Sequence, residues 1–160
     1  MSVVNDTRDR IMALCEKIVL PGGLGTGIAY EDEEECGYDT LPAYIVMDAP
    51  DEGYARMDVS TYQTQQEYII LVYVSVICDN SYRENVPAWD LVKDCREVIT
   101  DYFMQRPTLA MNDAGIVDYA MLSRGRKMEL ESTGSDSKYH GLTFRLATAF
   151  SRRVGQTDFD

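Results

Sequence analysis

The chain has 160 residues, 45% of them apolar and 26% charged, proportions that suit one globular domain with a sizeable core. Its formal net charge of -12 favours solubility and repels polyanions, and it argues against binding DNA through phosphates, which takes clustered Lys and Arg. Residues 1–6 hold no basic stretch followed by an apolar one, so the sequence predicts synthesis in the cytosol without a secretory signal. The four cysteines show no CxxC pairing and read as small core hydrophobes, except Cys36, which falls in a polar loop.

A first helix is predicted over 7–20, because Ile11, Leu14, Cys15 and Ile18 recur at helical spacing and Pro21-Gly22-Gly23 stops the run. Residues 21–42 read as a loop in two parts. The first, Pro-Gly-Gly-Leu-Gly-Thr-Gly, follows a helix and lacks the Gly-Lys-Ser/Thr ending of a phosphate-cradling loop, so it reads as a flexible turn. The second holds five acidic residues in a row, Glu31, Asp32, Glu33, Glu34 and Glu35, a solvated surface by its charge. Its spacing is not that of a calcium loop, which needs spaced ligands and a turn glycine.

Residues 41–47 form a short predicted strand, 48–53 a turn rich in Asp, Pro and Gly, and 54–62 a second strand with alternating polarity. The run at 66–79 is the most apolar of the chain: from Tyr68 to Cys78 only Ser75 is strongly polar. Residues so rich in Val, Ile and Tyr suit a pleated surface. At about 3.3 Å per residue the run spans roughly 35 Å as one strand. It is too short for a membrane helix, which takes about 20 apolar residues. A strand apolar on both faces needs cover on both. The chain's own helices supply one cover; a partner subunit is the candidate for the other.

A loop at 80–85 leads to a second helix from Pro87 to Phe103, with Trp89, Val92, Cys95, Ile99 and Tyr102 on one stripe. Strands follow at 115–122, with a continuation over 127–132, and at 139–152, where Leu142, Phe144, Leu146 and Phe150 face one way. The tip at 132–137 joins them and contains Asp136, and 154–160 is a polar tail. The order α-β-β-β-α-β-β predicts an α+β fold, a single domain whose mixed or antiparallel sheet carries both helices on one face.

Residue chemistry suggests no reaction. A nucleophile–histidine pair would have to use His140, the one histidine, which sits at a strand entry and reads as structural. No Cys/His spacing suits a metal, and carboxylates are too abundant for a pair to carry meaning without geometry. The sequence therefore predicts no catalytic residue, no cofactor and no metal. The eleven tyrosines divide between core and interface roles, since tyrosine buries area while keeping a polar tip.

The layout as a whole is informative. An amphipathic helix over Thr7–Leu20 precedes a β run ending Val-Tyr-Val-Ser-Val-Ile-Cys. The helix Trp-Asp-Leu-Val-Lys-Asp-Cys-Arg-Glu-Val-Ile comes next, and two strands close with Gly-Leu-Thr-Phe-Arg-Leu-Ala-Thr. This order and texture resemble the tail terminator (tail completion) proteins of long-tailed bacteriophages over most of the chain, with 21–37 unmatched. The resemblance implies a structural virion protein of the tail or neck, assembled in the host cytoplasm. Its copies would form a hexameric ring that ends the tail tube, meets the tube protein on one side and the head–tail connector on the other, and lets DNA pass unbound. Glu31 to Glu35 and Asp136 are then the candidates for inter-ring contact or lumen lining. Two other readings stay open: another neck or tail component, such as a head-completion or tube-like protein, and a cytosolic enzyme or small-ligand module.

Overall fold

The computed structural model describes residues 3–31, 41–56, 61–77, 82–131 and 137–153. Two helices, α1 (Val3–Cys15) and α2 (Tyr82–Met104), accompany β1 (Ile28–Tyr30), β2 (Ala43–Arg56), β3 (Thr61–Val76), β4 (Tyr119–Leu122), β5 (Arg126–Glu131) and β6 (Lys138–Arg153). The strands form one six-stranded sheet in the order β1-β2-β3-β6-β4, with β5 also on β6. β1 runs parallel to β2 and every other pairing is antiparallel, so the sheet is mixed and the fold is α+β.

Both helices pack on the same face. Ile11, Leu14 and Cys15 of α1 and Val92, Cys95, Ile99 and Phe103 of α2 meet the even-numbered side chains of β3 and β6, among them Ile70, Val72, Leu142 and Phe144. Period-two alternation explains this split: in β6 every second residue from Leu142 to Phe150 is buried against the helices, while Arg145 and Ser151 are exposed.

The long apolar run becomes β3, the central strand, between β2 and β6. Its odd-numbered residues form a second cluster on the helix-free face, where Ala43, Ile45, Leu71, Tyr73, Leu130 and Tyr139 are all buried. Tyr73 and Tyr139 meet edge to face at 5.3 Å, and the Tyr73 hydroxyl donates to the Glu131 carbonyl. The centre of this face is thus out of water within a single chain, and the expected subunit cover is not needed there. Four tyrosines, Tyr44, Tyr68, Tyr73 and Tyr139, belong to the core.

Several element boundaries differ from the sequence reading. Helix α1 ends at Cys15, and Lys17 and Ile18 bond back to Leu14 and Cys15 in tighter turns that keep Ile18 and Leu20 in the core. The predicted turn at 48–53 is an irregularity inside one strand: Ala49, Pro50 and Asp51 stand opposite Glu67 alone, and pairing resumes at Glu52. Proline brings no N–H to the ladder. The Gln66 amide fills the gap instead, donating to the Ala49 and Glu67 carbonyls at 3.0 and 2.9 Å. Helix α2 starts at Tyr82, inside the predicted loop, and takes in Pro87. The region 115–132 resolves into two strands, β4 and β5, on different stretches of β6. β1 lies in what reads as a loop; three residues carry no periodicity.

Between α2 and β4 the chain is pinned by Asp113. Its carboxylate accepts the N–H groups of Met111 and Gly115 and pairs with Arg10 of α1, which also donates to the Leu109 carbonyl. Arg10 and the two N–H groups hold this exposed carboxyl well below the usual carboxylate range.

The Tyr44 hydroxyl lies in the core, fully buried and with no hydrogen-bond partner among the described residues. A buried polar group left unsatisfied costs about 1–3 kcal/mol. Tyr44→Phe is therefore expected to stabilise the fold by about 1 kcal/mol, read as a higher urea midpoint at unchanged m-value. A lower midpoint would mean that the hydroxyl is satisfied in solution.

Candidate assembly edges

A sheet exposes unpaired N–H and C=O groups at its edges, and such edges invite another chain. Here the edges are formed by β1 on one side and by β4 and β5 on the other, and among the described residues no strand pairs the outer side of any of them. They are not equally open. The Ala120 N–H of β4 donates to the Pro107 carbonyl at 2.6 Å, so the loop before β4 caps that strand. Among the described residues no such backbone bond covers Ala29 of β1 or any residue of β5.

β1 is held to β2 through the Ile28 N–H, which donates to the Pro42 carbonyl. Alternation then turns the Ala29 N–H and C=O outward. Ile28 is 43% exposed, a large apolar side chain at the rim of the helix-free face. β5 reads Arg-Lys-Met-Glu-Leu-Glu; Leu130 is buried in the second cluster, and the other five residues are exposed. Met128 is 39% exposed on the same face as Ile28. Arg124, Arg126 and Lys127 make the first end of this edge basic, and Glu129 and Glu131 make its other end acidic.

Glu31 follows β1 directly, is exposed, and pairs with Arg8 of α1 at 3.1 Å. It is thereby fixed beside the β1 edge. Asp32, Glu33, Glu34, Glu35 and Asp136 lie outside the described residues. Sequence reasoning missed Ile28 and Met128, because their significance lies in strand position and neither stands out by residue type.

His140 opens no comparable site. It is 2% exposed, at the start of β6, with Nδ1 2.9 Å from Ser75 Oγ and the ring edge to face with Trp89 at 4.8 Å. Burial pushes its imidazole below the ordinary 6.5, against the opposing pull of a Ser75 backbone bond and of Glu129. The ring is wedged between Ser75 of β3 and Trp89 of α2, where burial favours its neutral form. A shallow groove of about 460 Å³ runs past it, lined by Trp89, Lys127, Met128 and Glu129. Among the described residues no three His, Cys, Asp or Glu side chains are grouped to hold a metal, and no helix is long and apolar enough to cross a membrane. Cys15 and Cys95 are buried and unpaired, and burial raises both thiols, Cys95 to about 11, so neither is poised as a nucleophile.

No family model and no curated protein matches this chain.

Proposed function

We propose that this protein is a structural subunit that closes into a ring at the neck of a long-tailed phage particle, as a tail terminator does. The observation that carries the assembly part is the pair of edge strands on opposite sides of one sheet, with no further strand beyond them among the described residues. Different surfaces meeting head to tail generate a ring when the rotation closes. The phage part rests on the resemblance in element order and texture to tail terminators. In this reading one end of the ring meets the tail tube protein and the other the head–tail connector. The negative charge serves as a surface along which DNA slides, because phosphate binding needs positive partners.

The deciding experiment is imaging of the head–tail junction in particles carrying this chain, together with the behaviour of the purified protein. A single ring at the tube end, from a subunit that does not polymerise without limit, is the expected result. Indefinite tubes from the pure protein would indicate a tube subunit instead, and absence from the particle would end the reading.

A further inference from the structure

The register of the sheet specifies how two copies fit, and we infer that β1 of one copy pairs antiparallel with β5 of the next. This inference deepens the ring reading by naming the lateral contact. Reading straight across the sheet, Ile28 pairs with Ala43, Ala43 with Tyr73, Tyr73 with Gly141 and Gly141 with Met128. The row of Tyr30 ends in the same way at Arg126. The two open strands therefore stand at the same height on opposite sides of the molecule.

Strand direction adds the next constraint. β1 runs with β2 and β6, and β5 runs against β6. When the sheets of neighbouring copies continue one another, polarity carries over, so β1 meets the neighbouring β5 antiparallel. At equal height, Ile28 then lies opposite Met128 on the helix-free face, and each covers the other's exposed apolar surface. Glu31, one residue beyond Tyr30, reaches the level of Gly125 on the helix side of the sheet, where its diagonal neighbour is Lys127. Opposite charges on diagonal neighbours favour this pairing, and a slip by one residue would turn Ile28 and Met128 to opposite faces.

The symmetric alternatives fit less well. Pairing β5 with its own copy about Met128 sets Met128 against Met128 and Lys127 against Glu129, but it closes at two copies and leaves the Ile28 edge uncovered. Pairing β1 with β1 offers Glu31 no cation. β4 is capped at Ala120 by Pro107. With strands about 4.8 Å apart, five abreast advance roughly 24 Å per copy, so six copies trace a circle about 46 Å across at the sheet.

Disulfide trapping of the full chain tests the contact, with Cys36→Ser and Cys78→Ser leaving the buried Cys15 and Cys95 as the only other thiols. Facing residues of an antiparallel pair lie at a Cα separation that a disulfide spans. A mixture of the Ile28→Cys chain with the Met128→Cys chain, oxidised at high concentration, is expected to give the mixed dimer. Its yield should exceed several-fold that of Ile28→Cys with Met121→Cys on β4. The double variant should give a ladder ending in a closed species. A mixed dimer no more abundant than the β4 control, or a dominant Met128→Cys homodimer, would overturn the inference. A ring seen at the neck without the mixed crosslink rejects this contact and leaves the terminator reading standing. The mixed crosslink from a protein absent from the neck supports the contact and removes that reading.

Discussion

Val72→Asp is expected to abolish folding. Val72 is fully buried at the centre of β3, paired with Tyr44 on one side and Leu142 on the other, beneath both helices. An ionised carboxylate there loses its water and gains no cation, since its cluster is built from aliphatic and aromatic side chains with two cysteines. The effective penalty for burying an uncompensated charge is several kcal/mol, comparable with the roughly 5–15 kcal/mol that holds a typical domain together. Protonation would lower the penalty but leave a hydrogen-bonding carboxyl among apolar neighbours. The expected observation is insoluble protein, or soluble protein without a cooperative thermal transition. Val76→Asp supplies the contrast: Val76 ends the same strand and is 42% exposed, and substitutions at such surface positions usually change stability by about 0.5 kcal/mol or less. A Val72→Asp protein that melts cooperatively near the parent temperature would remove β3 from the centre of the core.

The difference between these two positions shows what the sequence makes legible. β3 and β6 carry their signal locally: composition marks the first and strict alternation the second, and β3 takes the centre of the sheet with β6 beside it. The stripe of α2 likewise announces Val92, Cys95 and Ile99 as core. Other features depend on pairing partners far along the chain. Residues 48–53 have the composition of a turn, yet Gln66 supplies the polar contacts that let β2 continue through an irregularity. β1 is a strand only because β2 lies beside it. The helix-free face suggested a missing subunit, but the side chains at its centre, Tyr73, Tyr139 and Leu130 among them, are already buried in one chain. Of the acidic residues singled out, Glu31 is the one placed by the structure, held beside the β1 edge by Arg8. The candidate edges follow from register, a long-range property that no local pattern records.

Gly141→Ala is the second substitution with a large expected effect, and it connects the core to the edge. Gly141 stands between Tyr73 of β3 and Met128 of β5. A Cβ at this position would come within 2.5 Å of the Val72 carbonyl oxygen and 2.3 Å of Leu130 Cδ1. Real Cβ atoms do not tolerate such distances, so a strand or a side chain must move. The Leu130 methyl belongs to a rotatable side chain; the Val72 carbonyl belongs to the central strand. Overpacking a tight core costs about 1–3 kcal/mol, and a clash with backbone puts this case at the upper end. Leu130→Ala in the same chain should relieve only the side-chain part of the conflict, at the cost of the cavity it leaves. The double variant is therefore expected to remain well below the parent in urea midpoint. Displacing Leu130 also shifts β5, so Gly141→Ala should lower the yield of the Ile28–Met128 crosslink beyond the loss expected from unfolded protein. That yield is to be compared with a variant equally destabilised far from β5, such as Ile11→Val or Ile11→Ala in α1, whichever matches its midpoint. Equal crosslinking in the two matched proteins would show that the β5 edge does not depend on the packing beneath it.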